Sequence, residues 1–150
     1  MTGADPDAQA LYVVEHAVLD PVSRRFRNVA EVRAYLADLV AGDWFGARWP
    51  EQAVPSVERR GSGAVWSLAT RPCEEVADDG TILLTTLDVV TVLHELAHLC
   101  CGIAHGHDDR FVATLLTLVR HEMGAHAYGD LLAAVKAERR WPFLLDELAS

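Results

Sequence analysis

The sequence predicts an α+β fold in which a small sheet of three strands, or slightly more, packs on one central helix, with additional helices around it. Three short runs of β-branched and aromatic residues, typical of strands, lie between residues 54 and 86. Apolar residues recur at helical spacing over residues 29–41, 88–102 and 110–124. The chain has 150 residues, of which 51% are hydrophobic and 23% charged, so we expect a single domain over residues 1–150.

The net charge of -9 at pH 7 argues against nucleic acid as a direct ligand, because the phosphate backbone is itself negative. Basic residues occur only in short, scattered groups such as Arg24-Arg25 and Arg139-Arg140. The N-terminus lacks the positive and apolar regions of a signal peptide, and no apolar run is long enough to span a membrane. We therefore expect a soluble, cytoplasmic protein that binds neither nucleic acid nor membranes.

The first apolar segment of the chain has no clear periodicity. About residues 1–6 are predicted to be a flexible tail. Ala8 to Val18 fits a helix or a strand, and both interpretations stay open. His16 stands alone in this apolar segment, so we expect it in the core or at the core boundary.

The next segment carries a helix signal followed by an aromatic stretch. Asn28 is a favourable N-cap, and Glu31 three residues later supplies a capping carboxylate. These residues predict an amphipathic helix over residues 29–41 that ends at Gly42. The stretch from Trp44 to Pro50 is rich in aromatic residues and closed by proline, which predicts a packed loop over one end of the core.

The three strand candidates follow this loop. Val54 to Arg59 and Ala64 to Thr70 are separated by Gly61-Ser62-Gly63, which predicts a hairpin. A third strand, Thr81 to Thr86, follows the turn signal Asp78-Asp79-Gly80. All three precede the central helix in the chain, so we expect their sheet to pack against it.

The central helix carries an HExxH motif, since the chain reads His94-Glu95-Leu96-Ala97-His98. On a helix the two histidines are turned only about 40° from each other, so both imidazoles can reach one metal ion beside the glutamate. Random order of this composition would produce the motif roughly 2 times in 100, so its context must support it. Asp88 as N-cap and Gly102 as C-terminal stop place the motif in the middle of a predicted helix.

A catalytic zinc site needs a third protein ligand and an open position for water, and two histidines follow the motif within nine residues. Asp108 or Asp109 can cap a second helix that ends near Gly124, so His107 stands at the start of a rigid element. His105 lies in a glycine-flanked loop. We therefore favour His107 as the third ligand, with His105 as a residue at the rim of the site or a solvated loop histidine.

The cysteines offer one further ligand candidate. Cys101 lies seven residues after His94 and three after His98, on the same helix face, although a buried cysteine is more often a small core residue. The three cysteines Cys73, Cys100 and Cys101 form neither an even set nor a C-x-x-C pair, so we expect reduced thiols.

The remaining histidines are expected outside the site. His121 and His126 are five residues apart with a helix-ending glycine between them, so they cannot share a helix face. Both should lie at the surface or at helix ends. Glu122 is available as an alternative third ligand of the kind that other HExxH families use, but His107 is closer in the chain.

The motif and the residues after it resemble a known group of enzymes. The pattern His94-Glu95-x-x-His98 followed by His107-Asp108-x-x-Phe111 is similar to that of the SprT-like and WLM zinc metallopeptidases, in which H-G-x-x-F or H-D-x-x-F follows HExxH. Leu93 to Leu99 and His107 to Arg120 look more closely like small metallohydrolases of actinomycete-type genomes. Asp108 stands where the SprT form has glycine.

This resemblance implies a zincin-like fold and supports His107 as the third zinc ligand. It also implies that an extended substrate lies along the sheet edge beside the active-site helix, for which we expect the strand Thr81 to Thr86. The motifs that carry the resemblance are specific for metal binding and weak for the substrate, which we expect to be a peptide or a small amide.

Ligand chemistry predicts the reaction. Three neutral imidazoles leave Zn²⁺ its full charge, which lowers the pKa of a bound water towards about 7. We expect a zinc-dependent metallohydrolase, most consistent with a metallopeptidase, in which His94, His98 and His107 bind zinc and Glu95 activates the zinc-bound water. Two alternatives stay open: a regulatory or binding module with a zincin-like fold and little catalysis, and a structural site completed by Cys101 or a chance motif.

Overall fold

The computed structural model describes residues 5–61, 67–70 and 80–150. Within these ranges the chain forms seven α-helices, three strands and two short 3-10 turns, so the predicted α+β class is confirmed. In chain order the elements are α1 (Pro6–Leu19), α2 (Val29–Ala41), α3 (Asp43–Arg48), β1 (Ser56–Arg59), β2 (Leu68–Thr70), β3 (Thr81–Leu84), α4 (Val89–Cys101), α5 (Asp109–Met123), α6 (Ala125–Glu138) and α7 (Leu144–Ala149).

The chain divides into two compact units. One consists of Met1–Ser23 together with Ala104–Ser150, and the other of Arg24–Ile103. In the first unit, α5 packs against α6 and α7, and α1 packs against α6. In the second unit, α4 packs against β2 and β3, and α2 packs against β1. The prediction of a single domain over residues 1–150 stays a prediction.

The sheet has the strand order β1-β3-β2. β1 runs parallel to β3, with Ser56 opposite Thr81, and β2 runs antiparallel to β3 on its other side. Ile82 and Leu84 of β3 are fully buried, which suits the central strand of the described sheet. α4 follows β3 directly in the chain, so the central strand leads into the helix that carries the motif.

Two predictions about the sheet are wrong. β1 and β2 do not pair as a hairpin, because β3 lies between them among the described strands. For the same reason β3 is not the sheet edge that the resemblance suggested for an extended substrate. The glycine-rich turn signal acts over a few residues. Strand order depends instead on pairing between strands that are far apart in the chain and on burial of their apolar faces. Residues 62–66 and 71–79, with Cys73 and the Asp78-Asp79 turn signal, lie outside the described residues.

Helix α2 begins and ends as predicted, at Val29 and Ala41. The Asn28 side chain accepts a hydrogen bond from the N–H of Glu31 at 2.9 Å, and the Glu31 carboxylate accepts one from the N–H of Arg27 at 2.7 Å. The reciprocal bond of the capping carboxylate therefore reaches one residue further back than a capping box requires.

The aromatic stretch after α2 is not the predicted loop, because five of its residues belong to helix α3. Phe45 is 1% exposed, and its ring centroid lies 4.9 Å from that of Trp49. Burial of this large side chain stabilises a helical turn that local propensity, with Gly46 in its interior, does not favour.

Helix α1 resolves the choice left open for the N-terminal apolar segment. Asp5 is its N-cap and Pro6 its first residue, although both belong to the stretch predicted as a tail. His16 is exposed, with its Nδ1 3.1 Å from the Asp20 carboxylate, so its predicted place in the core is wrong. The buried polar residue of this segment is Glu15, which lies on the same helix face as Leu11.

No helix in the described part of the chain combines the length and the apolar character needed to cross a membrane.

Candidate metal centre

Helix α4 holds the HExxH motif, and its two ends are fixed by the residues predicted to cap it. The Asp88 carboxylate accepts a hydrogen bond from the N–H of Thr91 at 2.8 Å. At the other end the N–H of Gly102 donates to the carbonyl of His98 at 3.1 Å. Gly102 has a φ of +104°, which an L side chain rarely adopts, so the helix ends there.

The motif lies on a helix that is buried along most of its length. His94 is 4% exposed, Glu95 is 3% exposed and His98 is partly exposed. The rings of His94 and His98 have centroids 5.2 Å apart and planes at 69°. Burial of a carboxylate is costly, which distinguishes Glu95 from the exposed acidic residues at the helix termini.

His107 lies immediately before α5, whose N-cap Asp108 accepts a hydrogen bond from the N–H of Phe111 at 3.0 Å. The His107 side chain is 14% exposed, and its Nδ1 is 3.2 Å from the Asp5 carboxylate. Its backbone carbonyl accepts a hydrogen bond from the indole N–H of Trp141 at 2.9 Å. The structure therefore fixes both the ring and the backbone of His107.

Three imidazoles come together as the sequence predicted. His94, His98 and His107 each offer one ring nitrogen, and these nitrogens all lie within 4.8 Å of one another. Neutral imidazole is the commonest metal ligand in proteins, so this arrangement is compatible with a bound metal ion.

The other candidate ligands have different partners. His105 lies outside the cluster, with its Nδ1 2.8 Å from the carboxylate of Asp108. Cys101 is buried, and its Sγ is 3.6 Å from the carbonyl oxygen of Gly102. Cys100 and Cys101 are reduced thiols, as predicted.

His121 and His126, which are five residues apart, lie at the surface, as predicted. His121 is 39% exposed and pairs with Glu122 at 2.8 Å. His126 is 94% exposed and pairs with Asp130 at 3.2 Å.

The residues that contact His107 were not predicted from the sequence. Asp5, Tyr12 and Trp141 all contact it, with the rings of Tyr12 and His107 5.8 Å apart. The dipeptide Asp5-Pro6 is itself a helix-start signal, which would have placed a carboxylate at the N-terminus of α1. No sequence signal links that carboxylate to a histidine 102 positions later.

Neither a protein-family model nor a curated protein nor a solved structure matches this chain. The resemblance to SprT-like and WLM metallopeptidases therefore stays a prediction. The geometry of the histidine cluster is the observation on which a proposed function rests.

Proposed function

We propose that this protein is a zinc-dependent metallohydrolase that cleaves amide bonds, with His94, His98 and His107 as the zinc ligands. The observation that carries the proposal is the set of three ring nitrogens within 4.8 Å of one another. A zincin-like fold and kinship with the SprT-like and WLM metallopeptidases are part of the same proposal. They are supported by the order of strand β3, helix α4 and His107 along the chain.

The donor set fits zinc in a catalytic site. Catalytic zinc takes three protein ligands, commonly nitrogen donors, and leaves a fourth position for water or substrate. Zinc held in this way lowers the pKa of water towards about 7 and polarises a carbonyl group. Three neutral imidazoles add no negative charge that would weaken either effect.

Glu95 has the role of general base and then general acid. It is adjacent in sequence to His94 and buried with it in the middle of α4. Its carboxylate takes the proton of the attacking water and delivers a proton to the leaving nitrogen of the amide. Glu95 therefore acts twice in one turnover.

The sheet suggests where a peptide substrate would lie. Of the three described strands, β1 and β2 are the outer ones, and β2 (Leu68–Thr70) packs against α4. An extended peptide can add to the edge of a sheet through backbone hydrogen bonds. We therefore assign the substrate-binding edge to β2 in place of β3.

The test of this function uses the variant Glu95→Gln. Zinc content is measured by elemental analysis, and hydrolysis is measured on casein and on a panel of quenched fluorogenic peptides. The variant is expected to keep one zinc per chain and to lose about 10²- to 10⁴-fold in rate, which is the usual contribution of a general acid or base. Glu138→Gln, at an exposed position at the end of α6, is the matched control and should behave like the wild type.

Two outcomes would contradict the proposal. A wild-type protein that binds no zinc would remove the metal site. A zinc-loaded Glu95→Gln protein that cleaves every substrate as fast as the wild type would remove the catalytic role and favour a binding module.

A further inference from the structure

We infer that Asp5 is a positioning residue for His107: its carboxylate accepts the Nδ1–H of the imidazole and so directs Nε2 to the metal. This inference rests on the proposed function, because it assigns a role in holding the proposed zinc ion. It adds the N-cap residue of helix α1, more than 80 positions before the HExxH motif, to the machinery of the site.

The two oxygens of the Asp5 carboxylate have separate partners. Oδ1 accepts a hydrogen bond from the N–H of Asp7 at 3.0 Å and so caps α1. Oδ2 lies 3.2 Å from Nδ1 of His107. Because the first bond fixes the side chain on the helix terminus, the second oxygen is held towards the histidine.

This contact selects one tautomer of His107. An ionised carboxylate only accepts hydrogen bonds, so Nδ1 must carry the proton, and the lone pair of the neutral ring is then on Nε2. Histidines that bind metals almost always donate their other ring N–H to a carboxylate, a carbonyl or water, and such partners raise metal affinity.

An aspartate side chain is ordinarily ionised at neutral pH, so Asp5 is available there as a hydrogen-bond acceptor.

Three further contacts of His107 do not involve its ring nitrogens as hydrogen-bonding groups. Trp141 bonds to the backbone carbonyl, and the rings of Phe111 and Tyr12 lie edge-on to the imidazole, with centroids 5.0 and 5.8 Å from its own. They restrict the position of the ring, whereas the carboxylate of Asp5 determines which nitrogen carries the proton.

The experiment replaces the carboxylate without removing the helix cap. Serine is as good an N-cap as aspartate, but its shorter side chain cannot reach His107, so Asp5→Ser separates the two roles. Asp7→Ser is the matched control, since Asp7 lies in the same helical turn and its carboxylate is 3.4 Å from Arg140. The full chain is used throughout. The zinc dissociation constant is measured by chelator competition, and the tautomer of His107 by ¹⁵N NMR of the zinc-free protein.

Asp5→Ser is expected to weaken zinc binding about 10- to 100-fold, the range typical of such outer partners. The Nδ1–H form of His107 should dominate in the wild type and in Asp7→Ser, and decline in Asp5→Ser. Unchanged zinc affinity and an unchanged tautomer in Asp5→Ser would overturn the inference while leaving the zinc site in place. An equal loss of affinity in Asp7→Ser would also overturn it, because the effect would then come from the helix terminus. Absence of zinc binding by the wild type would overturn the proposed function itself.

Discussion

His105 and His107 are two residues apart, yet their side chains have different surroundings. His105 pairs with the carboxylate of Asp108, which also caps α5, and is 34% exposed. His107 is 14% exposed and belongs to the group of three ring nitrogens. Proximity in sequence therefore does not make these two residues equivalent.

Substitution of single histidines should separate ligands from bystanders. His98→Ala and His107→Ala are expected to lose stoichiometric zinc, because each removes one of the three proposed ligands. The loss of zinc affinity should exceed the 10- to 100-fold loss expected when only a hydrogen-bonding partner of a ligand is removed. His105→Ala should keep zinc and lose little stability, since a partly exposed ion pair contributes about 0–1 kcal/mol. Elemental analysis after gel filtration measures the zinc content. Loss of zinc from the His105 variant with retention in the His107 variant would reverse the assignment of the third ligand.

Among the elements, α4 is held by a close contact with the residue before β3. Gly80 has a φ of +83°, and a Cβ built on it would lie 2.6 Å from a methyl group of Leu99 on α4. Its carbonyl also accepts a hydrogen bond from the N–H of Ser56 at 3.0 Å, at the start of β1. The backbone at Gly80 thus touches both the sheet and the helix that carries the motif.

Alanine at this position is expected to destabilise the protein. Gly80→Ala combines an unfavourable backbone conformation with a clash against Leu99, and each effect costs about 1–2 kcal/mol. The free energy of unfolding in urea should fall by at least about 2 kcal/mol. The matched control is Gly46→Ala in α3, where a Cβ would have no atom within 4 Å, and alanine there should add roughly 0.5–1 kcal/mol. Equal stability of the two variants would show that the Gly80 contact is not tight.

The helices and the sheet differ in how far their sequence predicts them. The N-caps of α2, α4 and α5 are Asn28, Asp88 and Asp108. Each cap bonds within three positions, so these signals can be read locally. The order of the strands depends on pairing between residues far apart, as between Ser56 and Thr81, and the local turn signal predicted the wrong neighbour. α3 was missed for a related reason, since burial of Phe45 outweighs its weak helical propensity.

For the molecule as a whole, the net charge predicts that the protein does not bind nucleic acid. The net charge is -9 at pH 7, and binding to nucleic acid relies on neutralisation of phosphates by lysine and arginine. A labelled 30-base-pair duplex in 0.15 M salt should show no change in fluorescence anisotropy at protein concentrations up to about 10 µM, near the middle of the usual range of non-specific affinity. Saturable binding that weakens with added salt would contradict this prediction.

The candidate site was predictable as far as its three histidines and no further. His94 and His98 follow from helical spacing, and His107 follows from the helix start that Asp108 creates. Asp5 and Trp141 contact His107 from positions 102 and 34 residues away, and such contacts arise from the packing of helices. Composition and periodicity do not predict that packing.

The hydrogen bond between Asp5 and His107 is weaker than the entropic cost of closing the loop between them. Closing a loop of this length in a flexible chain costs about 4 kcal/mol in entropy, whereas a single hydrogen bond to a charged group contributes about 1.5–3 kcal/mol. The bond therefore cannot bring its own partners together. The packing of α1 on α6, and of α6 on α5, must therefore offset the rest of this entropic cost.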